Sequence, residues 1–204
     1  MRKKIIIKGP VLSRSGYGEQ ARFALRSLRK NEDRFDIYLV NTNWGATGWT
    51  SQNDEERQYI DFLMKKTFHF IQNRGQFDLS LQVTIPNEWE KIAPVNIGYT
   101  AGIETTKIAP HWIEKSMQMD KIIVTSSHSK NTLVNTSYQT YDPNTSQPAG
   151  DVSIKTPVEV VSYPVKLTDK KKVDLDLDTE FNFLMVSQWG PRKNLPNTIA
   201  WFCQ

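Results

Sequence analysis

Short apolar runs alternate with longer amphipathic stretches along most of this chain, and that alternation constrains the fold more than any single motif. Strands separated by helices pair in parallel when each crossover packs back on the sheet, so the pattern specifies an α/β architecture. The first run, Lys3 to Lys8, precedes a stretch with Tyr17, Ala21, Ala24, Leu25 and Leu28 at spacings of four, three, one and three. That is the face of a helix docked on a sheet. Further strands are expected at Phe35 to Val40, Phe77 to Val83, Val95 to Thr100, Ile122 to Thr125 and Val158 to Val161. Asn53-Asp54-Glu55-Glu56 predicts a helix start, because acidic side chains favour the positive end of a helix; that helix carries Tyr59, Phe62, Leu63, Phe70 and Ile71. Ser126 or Ser127 is placed to cap another, at about His128 to Thr136. Tyr141 to Asp151, rich in Pro, Gly, Asn and Ser, reads as an exposed loop.

Residues 1–165 are therefore expected to form a Rossmann-like parallel sheet with flanking helices. Residues 166–180 are charged, lack either period, and read as an interdomain linker. Within 181–204, Phe181 to Val186 and Lys193 to Phe202 read as a strand and a helix opening a second Rossmann-like domain, which breaks off inside that helix.

With 204 residues, 38% of them hydrophobic, the chain can bury a core. No run approaches the roughly 20 apolar residues that cross a bilayer, and the apolar part of MRKKIIIKG is too short for a signal peptide. A cytoplasmic location is expected, with peripheral membrane contact left open. The net charge of +4 is scattered: Lys170-Lys171-Lys172 is followed at once by Asp174, Asp176 and Asp178. The six tryptophans stand singly, without the basic and aromatic interleaving of a single-strand groove, so nucleic acid is not an expected partner. Cys203 is the sole cysteine; it forms no internal disulfide and is expected to be buried in its helix. There is no DxD triplet and no His or Cys grouping, so no metal site is expected.

The stretch SGYGEQAR, Ser15 to Arg22, carries a G-x-G-x-x-A pattern, but its context departs from a dinucleotide fingerprint. In that fingerprint the first glycine follows the strand at once, and an acid about 20 residues on holds the ribose. Here Gly9 to Ser15 intervene before Gly16, and the second strand ends in Asn41. A longer glycine loop feeding a helix still offers N–H groups to an anion. Gly16 and Gly18, around an expected exposed Tyr17, either bind a ligand at the carboxyl edge of the sheet or only let the chain turn into the helix.

Three further stretches complete a resemblance. Thr100 to Val134, Pro157 to Val165 and Phe183 to Phe202, taken in order with SGYGEQAR, resemble the nucleotide-sugar glycosyltransferases of the GT-B class. The similarity is closest to the retaining enzymes of family 4, also labelled group 1, and covers nearly the whole chain. The resemblance implies two Rossmann-like domains, the first holding the acceptor and the second the nucleotide sugar, with no other cofactor. It implies that Gly16, Tyr17 and Gly18 approach the donor phosphates and acceptor, and that Lys193 neutralises the departing diphosphate. The family arginine five positions earlier is Gln188 here, and Arg192 is the substitute charge. Many relatives place a histidine at the end of a middle strand, where this chain offers Gln82, Thr84 and Asn87.

Glu104, just past a strand end, either hydrogen-bonds acceptor hydroxyls or caps the Thr105-Thr106 turn. Of the histidines, His69 reads as a helix-face residue and His128 as a cap neighbour; His111, at a helix start beside Trp112, is retained as a weak catalytic candidate. The resulting expectation is a hexosyl-type glycosyltransferase moving sugar from a nucleotide donor to a glycan, lipid or other hydroxyl acceptor with retention, inactive as these residues alone. Alternatives are an NAD-linked oxidoreductase or nucleotide-sugar epimerase, and a non-catalytic binding module.

Overall fold

The computed structural model describes residues 2–165, 167, 169, 173, 175–187 and 189–204. The chain divides into two units, Met1–Val165 and Lys166–Gln204. In the first, the elements run β1 (Lys3–Gly9), α1 (Gly16–Arg29), β2 (Phe35–Asn41), α2 (Glu55–Gln72), β3 (Leu79–Val83), β4 (Val95–Thr100), α3 (Pro110–Ser116), β5 (Lys121–Val124), α4 (Ser127–Asn135), β6 (Ser137–Tyr141), β7 (Pro148–Ser153) and β8 (Val158–Val160). Six strands form one parallel sheet in the order β2-β1-β3-β4-β5-β8. The architecture is Rossmann-like α/β with flanking helices.

Helix starts obey the local chemistry. Ser15 Oγ accepts from Gly18 N (3.1 Å), Asp54 Oδ1 from Arg57 N (2.8 Å) and Ser126 Oγ from Ser129 N (3.1 Å). Both faces of β1 are covered, as an interior strand of a parallel sheet requires. Ile5 and Ile7 pack with Ala21 and Leu25 of α1 and Ile60 and Leu63 of α2, whereas Ile6 packs with Tyr38 and Phe77. A third cluster around Trp89, Ile113, Ile122 and Leu133 fills the β4–β8 side.

α2 does more than cover a face. The Thr67 hydroxyl donates to Leu63 O (2.7 Å) and accepts from Leu39 N (2.7 Å), while Lys66 Nζ donates to Ile37 O (2.9 Å). The helix thus pairs with the outer edge of β2, satisfying backbone groups that an edge strand otherwise exposes. Its buried stripe is correspondingly narrow, Ile60, Leu63 and Thr67, and Phe62 and Ile71 are exposed.

The segment expected as an exposed loop is partly structured: β6 and β7 form an antiparallel hairpin from Ser137↔Ser153 to Tyr141↔Pro148. Tyr138 and Val152, paired across it, pack on the Trp89 cluster, which anchors strands that Pro148 and Gly150 disguise in the sequence.

The second unit departs from expectation. Residues 181–187 form no strand; among the described residues of this unit there is no second strand to pair with, and an unpaired strand is not stable alone. Phe183 instead packs edge-on against Phe181 (4.9 Å between ring centroids) and Phe202 (5.0 Å). Pro191–Lys193 is a 3-10 turn, and Asn194, with φ of 50°, separates it from α5 (Leu195–Phe202). Arg192 and Lys193 therefore precede the helix rather than open it. Cys203 caps α5 and is exposed, not buried, as are its neighbours Trp201 and Phe202. No described helix is long and apolar enough to cross a membrane.

Replacing Thr67 by Val should destabilise the fold by about 1–3 kcal/mol, because the buried Leu39 N–H loses its acceptor at nearly constant volume. Urea denaturation measures the loss.

Candidate functional site

In a parallel sheet all loops following strands emerge at one edge, and ligands gather where strand order reverses. Here the reversal lies between β1, whose chain continues outward to β2, and β3 on its other side. The loop leaving β1 is held from three directions. The buried Arg22 guanidinium donates through Nη1 to Val11 O (2.7 Å) and Ser13 O (3.0 Å), with Glu19 as its counter-charge (2.8 Å). Leu12 N donates to Asn41 Oδ1 (3.0 Å). The Asn41 to Gln52 stretch adds Arg14 N to Gly48 O (2.7 Å), Thr50 N to Leu12 O (2.8 Å) and a Ser13–Thr47 hydroxyl bond (2.7 Å).

This geometry separates the two glycines. A Cβ on Gly18 would lie 2.0 Å from Ser13 O, whereas one on Gly16 would meet nothing within 4 Å. Gly18 is buried by the close approach of the loop, and its N–H is already taken by Ser15 Oγ. Its requirement is packing, while Gly16 remains exposed at the helix start.

Tyr17 is half-buried rather than exposed. Its hydroxyl reaches across the end of β3 to Thr100 Oγ1 (2.8 Å) and accepts from Ala101 N (3.2 Å). Burial pushes this phenol above its ordinary value against the lowering effect of those two bonds, with Tyr163 and Glu88 adding to the rise. Tyr17 is therefore neutral at physiological pH and retains its proton as a donor. The Trp44 ring lies 4.5 Å from the Tyr17 ring, and Trp49 on the same loop is 53% exposed.

Along the same edge of the sheet are groups with unspent hydrogen-bonding capacity. Gln20, one helical turn on, is buried; its Oε1 accepts from Tyr163 OH (3.2 Å), and its Nε2 is buried without a partner. Thr84, immediately after β3, is fully buried with its hydroxyl unpaired, and so is the Thr42 hydroxyl after β2. Such groups call for a water or ligand partner. Glu88, in the 3-10 turn Pro86–Glu88, is half-buried; burial raises its carboxyl and the Lys8 charge only partly offsets this. A carboxyl held upward is suited to exchange protons or hydrogen bonds with a hydroxylated ligand.

Glu104 and His111 make none of these hydrogen bonds. Glu104 is exposed in the loop after β4. That loop is fixed by Gly102, whose φ of +85° and whose contact with Ser129, 2.2 Å from a would-be Cβ, exclude a side chain. His111 is exposed on α3, with Nδ1 3.2 Å from Glu114 Oε2 on its own helix. Arg192 and Lys193 are exposed in the second unit, and Gln188 lies outside the described residues. Gln82 is committed to Ser80 and Glu90 (3.2 and 2.6 Å), so of the strand-end trio only Thr84 carries an open group inside the fold. Glu88, Gln20, Thr100 and Tyr163 escaped the sequence reading. The one local signal was the turn-forming Pro86-Asn87 that places Glu88 right after a strand end.

Among the described residues no group of three or more His, Cys, Asp or Glu side chains is arranged to hold a metal ion. An open groove of about 530 Å³ lined by Ile71, Phe77, Ile92 and Pro94 lies at the opposite, amino-terminal edge of the sheet and shares nothing with these groups. Comparison with protein-family models, curated proteins and solved structures returns no match for the chain.

Gly18→Ala should cost about 2 kcal/mol or more, through forced displacement of the loop, while Gly16→Ala should stay within about 0.5 kcal/mol of the parent; denaturation midpoints of the two variants provide the comparison. Glu88 supplies a pH test. Ionising it costs more in the fold than in the unfolded chain, so it subtracts stability as pH rises above its ordinary 4.5. Glu88→Gln should match the parent at about pH 4, gain on it as pH rises through the raised folded-state titration, and hold a constant lead above that, as read from urea midpoints across the range.

Proposed function

We propose that residues 1–165 are the acceptor-side domain of a retaining, GT-B-class glycosyltransferase that moves a hexosyl group from a nucleotide sugar to a hydroxyl acceptor. One observation carries the reading: the Tyr17–Thr100 hydroxyl pair, with the open Thr84 hydroxyl and the raised Glu88 carboxyl following β3 at the same carboxyl edge, at the switch point of a parallel sheet behind a long loop rather than a tight pyrophosphate turn. Such a set of neutral donors and one carboxyl suits the orientation of a polyhydroxylated substrate. In this reading Tyr17 orients the acceptor, and Glu88 replaces the strand-end histidine of the resemblance as the group nearest to an attacking hydroxyl. Arg192 and Lys193 supply positive charge to the departing diphosphate, which gains negative charge in the transition state.

The dinucleotide alternative has less support. Asn41 stands where an acid would grip the ribose, and its Oδ1 is spent on Leu12 N. The Gly18 N–H, which a pyrophosphate would need, is spent on Ser15.

The test is a thermal-shift screen of the intact protein against UDP-, GDP- and ADP-sugars beside NAD(P), followed by an assay for nucleoside diphosphate release with mixed hydroxyl acceptors. One nucleotide sugar should raise Tm and turn over, and Lys193→Ala should abolish turnover. Stabilisation by NAD(P) alone would sink the assignment.

A further inference from the structure

The Thr42 to Gln52 loop holds two tryptophans in unequal settings. Trp44 is half-buried against the Tyr17 ring, and that ring is fixed in turn through its hydroxyl to Thr100 and Ala101. Trp49 is 53% exposed although its backbone is bridged to Ser13 of the clamped β1 loop. Trp49 thus presents a large apolar ring to solvent on a loop whose backbone is already held, so a ligand stacking on it would not first have to order the loop. The face of an aromatic ring is electron-rich, and the axial C–H groups of a pyranose are apolar and slightly positive, so a sugar stacks there while its hydroxyls remain free for polar partners. Polar partners are present at the same edge: the Tyr17 hydroxyl, the unpaired Thr84 hydroxyl and the Gln20 amide nitrogen, both of the latter buried.

The cations of α1 at this rim are already paired. Glu19 occupies the first turn of α1 and is paired with Arg22 and Arg26 (2.8 and 2.9 Å), so those cations are already neutralised. The Glu88 carboxylate would repel a phosphate. Arg14 is the cation on the adjoining loop, and its Nη2 donates to Ser51 Oγ (3.3 Å).

We propose that Trp44, Trp49 and Tyr17 form a stacking platform that binds a neutral oligosaccharide as acceptor. The proposal rests on the acceptor-side reading of this domain and adds the class of acceptor: an uncharged glycan, not a sugar phosphate or a phosphate-linked lipid sugar. Binding needs no donor, so it is tested separately from transfer.

The protein is titrated with malto-, cello-, xylo- and chito-hexaose and with glucose 6-phosphate and mannose 6-phosphate, followed by saturation-transfer NMR and tryptophan fluorescence. At least one neutral oligosaccharide should bind, Trp49→Ala should weaken it about tenfold or more, and Trp49→Phe should restore most of the affinity. Trp44→Ala is judged alongside Trp44→Phe, whose retained ring keeps the Tyr17 contact, so that misfolding is told apart from a lost platform. Preference for the sugar phosphates, abolished by Arg14→Gln, would overturn the neutral-acceptor inference and leave the glycosyltransferase reading standing. Neutral binding unaffected by Trp49→Ala would overturn the platform. Absence of any saccharide binding overturns it as well, and joined to stabilisation by NAD(P) alone removes the parent reading too.

Discussion

A single buried guanidinium holds the carboxyl edge of this domain together. Arg22 brings a charge beneath the loop that leaves β1, where it satisfies the Val11 and Ser13 carbonyls, which would otherwise lack donors inside the fold. Removing the guanidinium would leave two buried acceptors without a donor and Glu19 with Arg26 as its remaining counter-charge, so the arrangement is held by the expense of breaking it more than by its net gain. Everything nearby depends on this clamp. The loop lies so close to α1 that position 18 must be glycine, the helix start is set by Ser15, and Tyr17 is thereby aimed at Thr100.

The Tyr17 bond has structural reach beyond its own strength. It ties α1 to the end of β4, passing over the β3 terminus. Ala101, which donates to Tyr17, in turn accepts through its carbonyl from Thr125 and Ser129 (both 3.1 Å). Helix α1, strand ends β4 and β5 and helix α4 thus meet in one hydrogen-bonded chain along the edge, and such chains fix the positions of groups that a ligand must find preformed.

The sheet was legible because its signals are local and strong. β4 follows its apolar run to the residue, and Asp54 and Ser126 cap where short polar side chains are expected to cap. What eluded sequence reasoning depends on partners distant in the chain. The β6–β7 hairpin looked like a loop because its stabilising contact is Tyr138 and Val152 on a core assembled from β5, α3 and α4. Phe62 and Ile71 fit a helix packed flat on a sheet, but α2 turns to cap a strand edge and leaves them outside. The loop and its glycines were enough to place a candidate site at the carboxyl edge. Its membership did not, since Glu88 and Thr100 reach Tyr17 only through the crossing of strands that are 70 residues or more from it in sequence.

The pairing of α2 with β2 gives the sheet a direction. One lateral border is closed by side-chain bonds from a helix, so additional backbone has a place only beyond β8, where Val160 is partly exposed. That strand is only three residues long, Val158–Val160, and offers too short a ladder to template another chain. A sheet closed on one flank and cut short on the other resists joining its own copies edge to edge, and this protection comes from geometry rather than from charge.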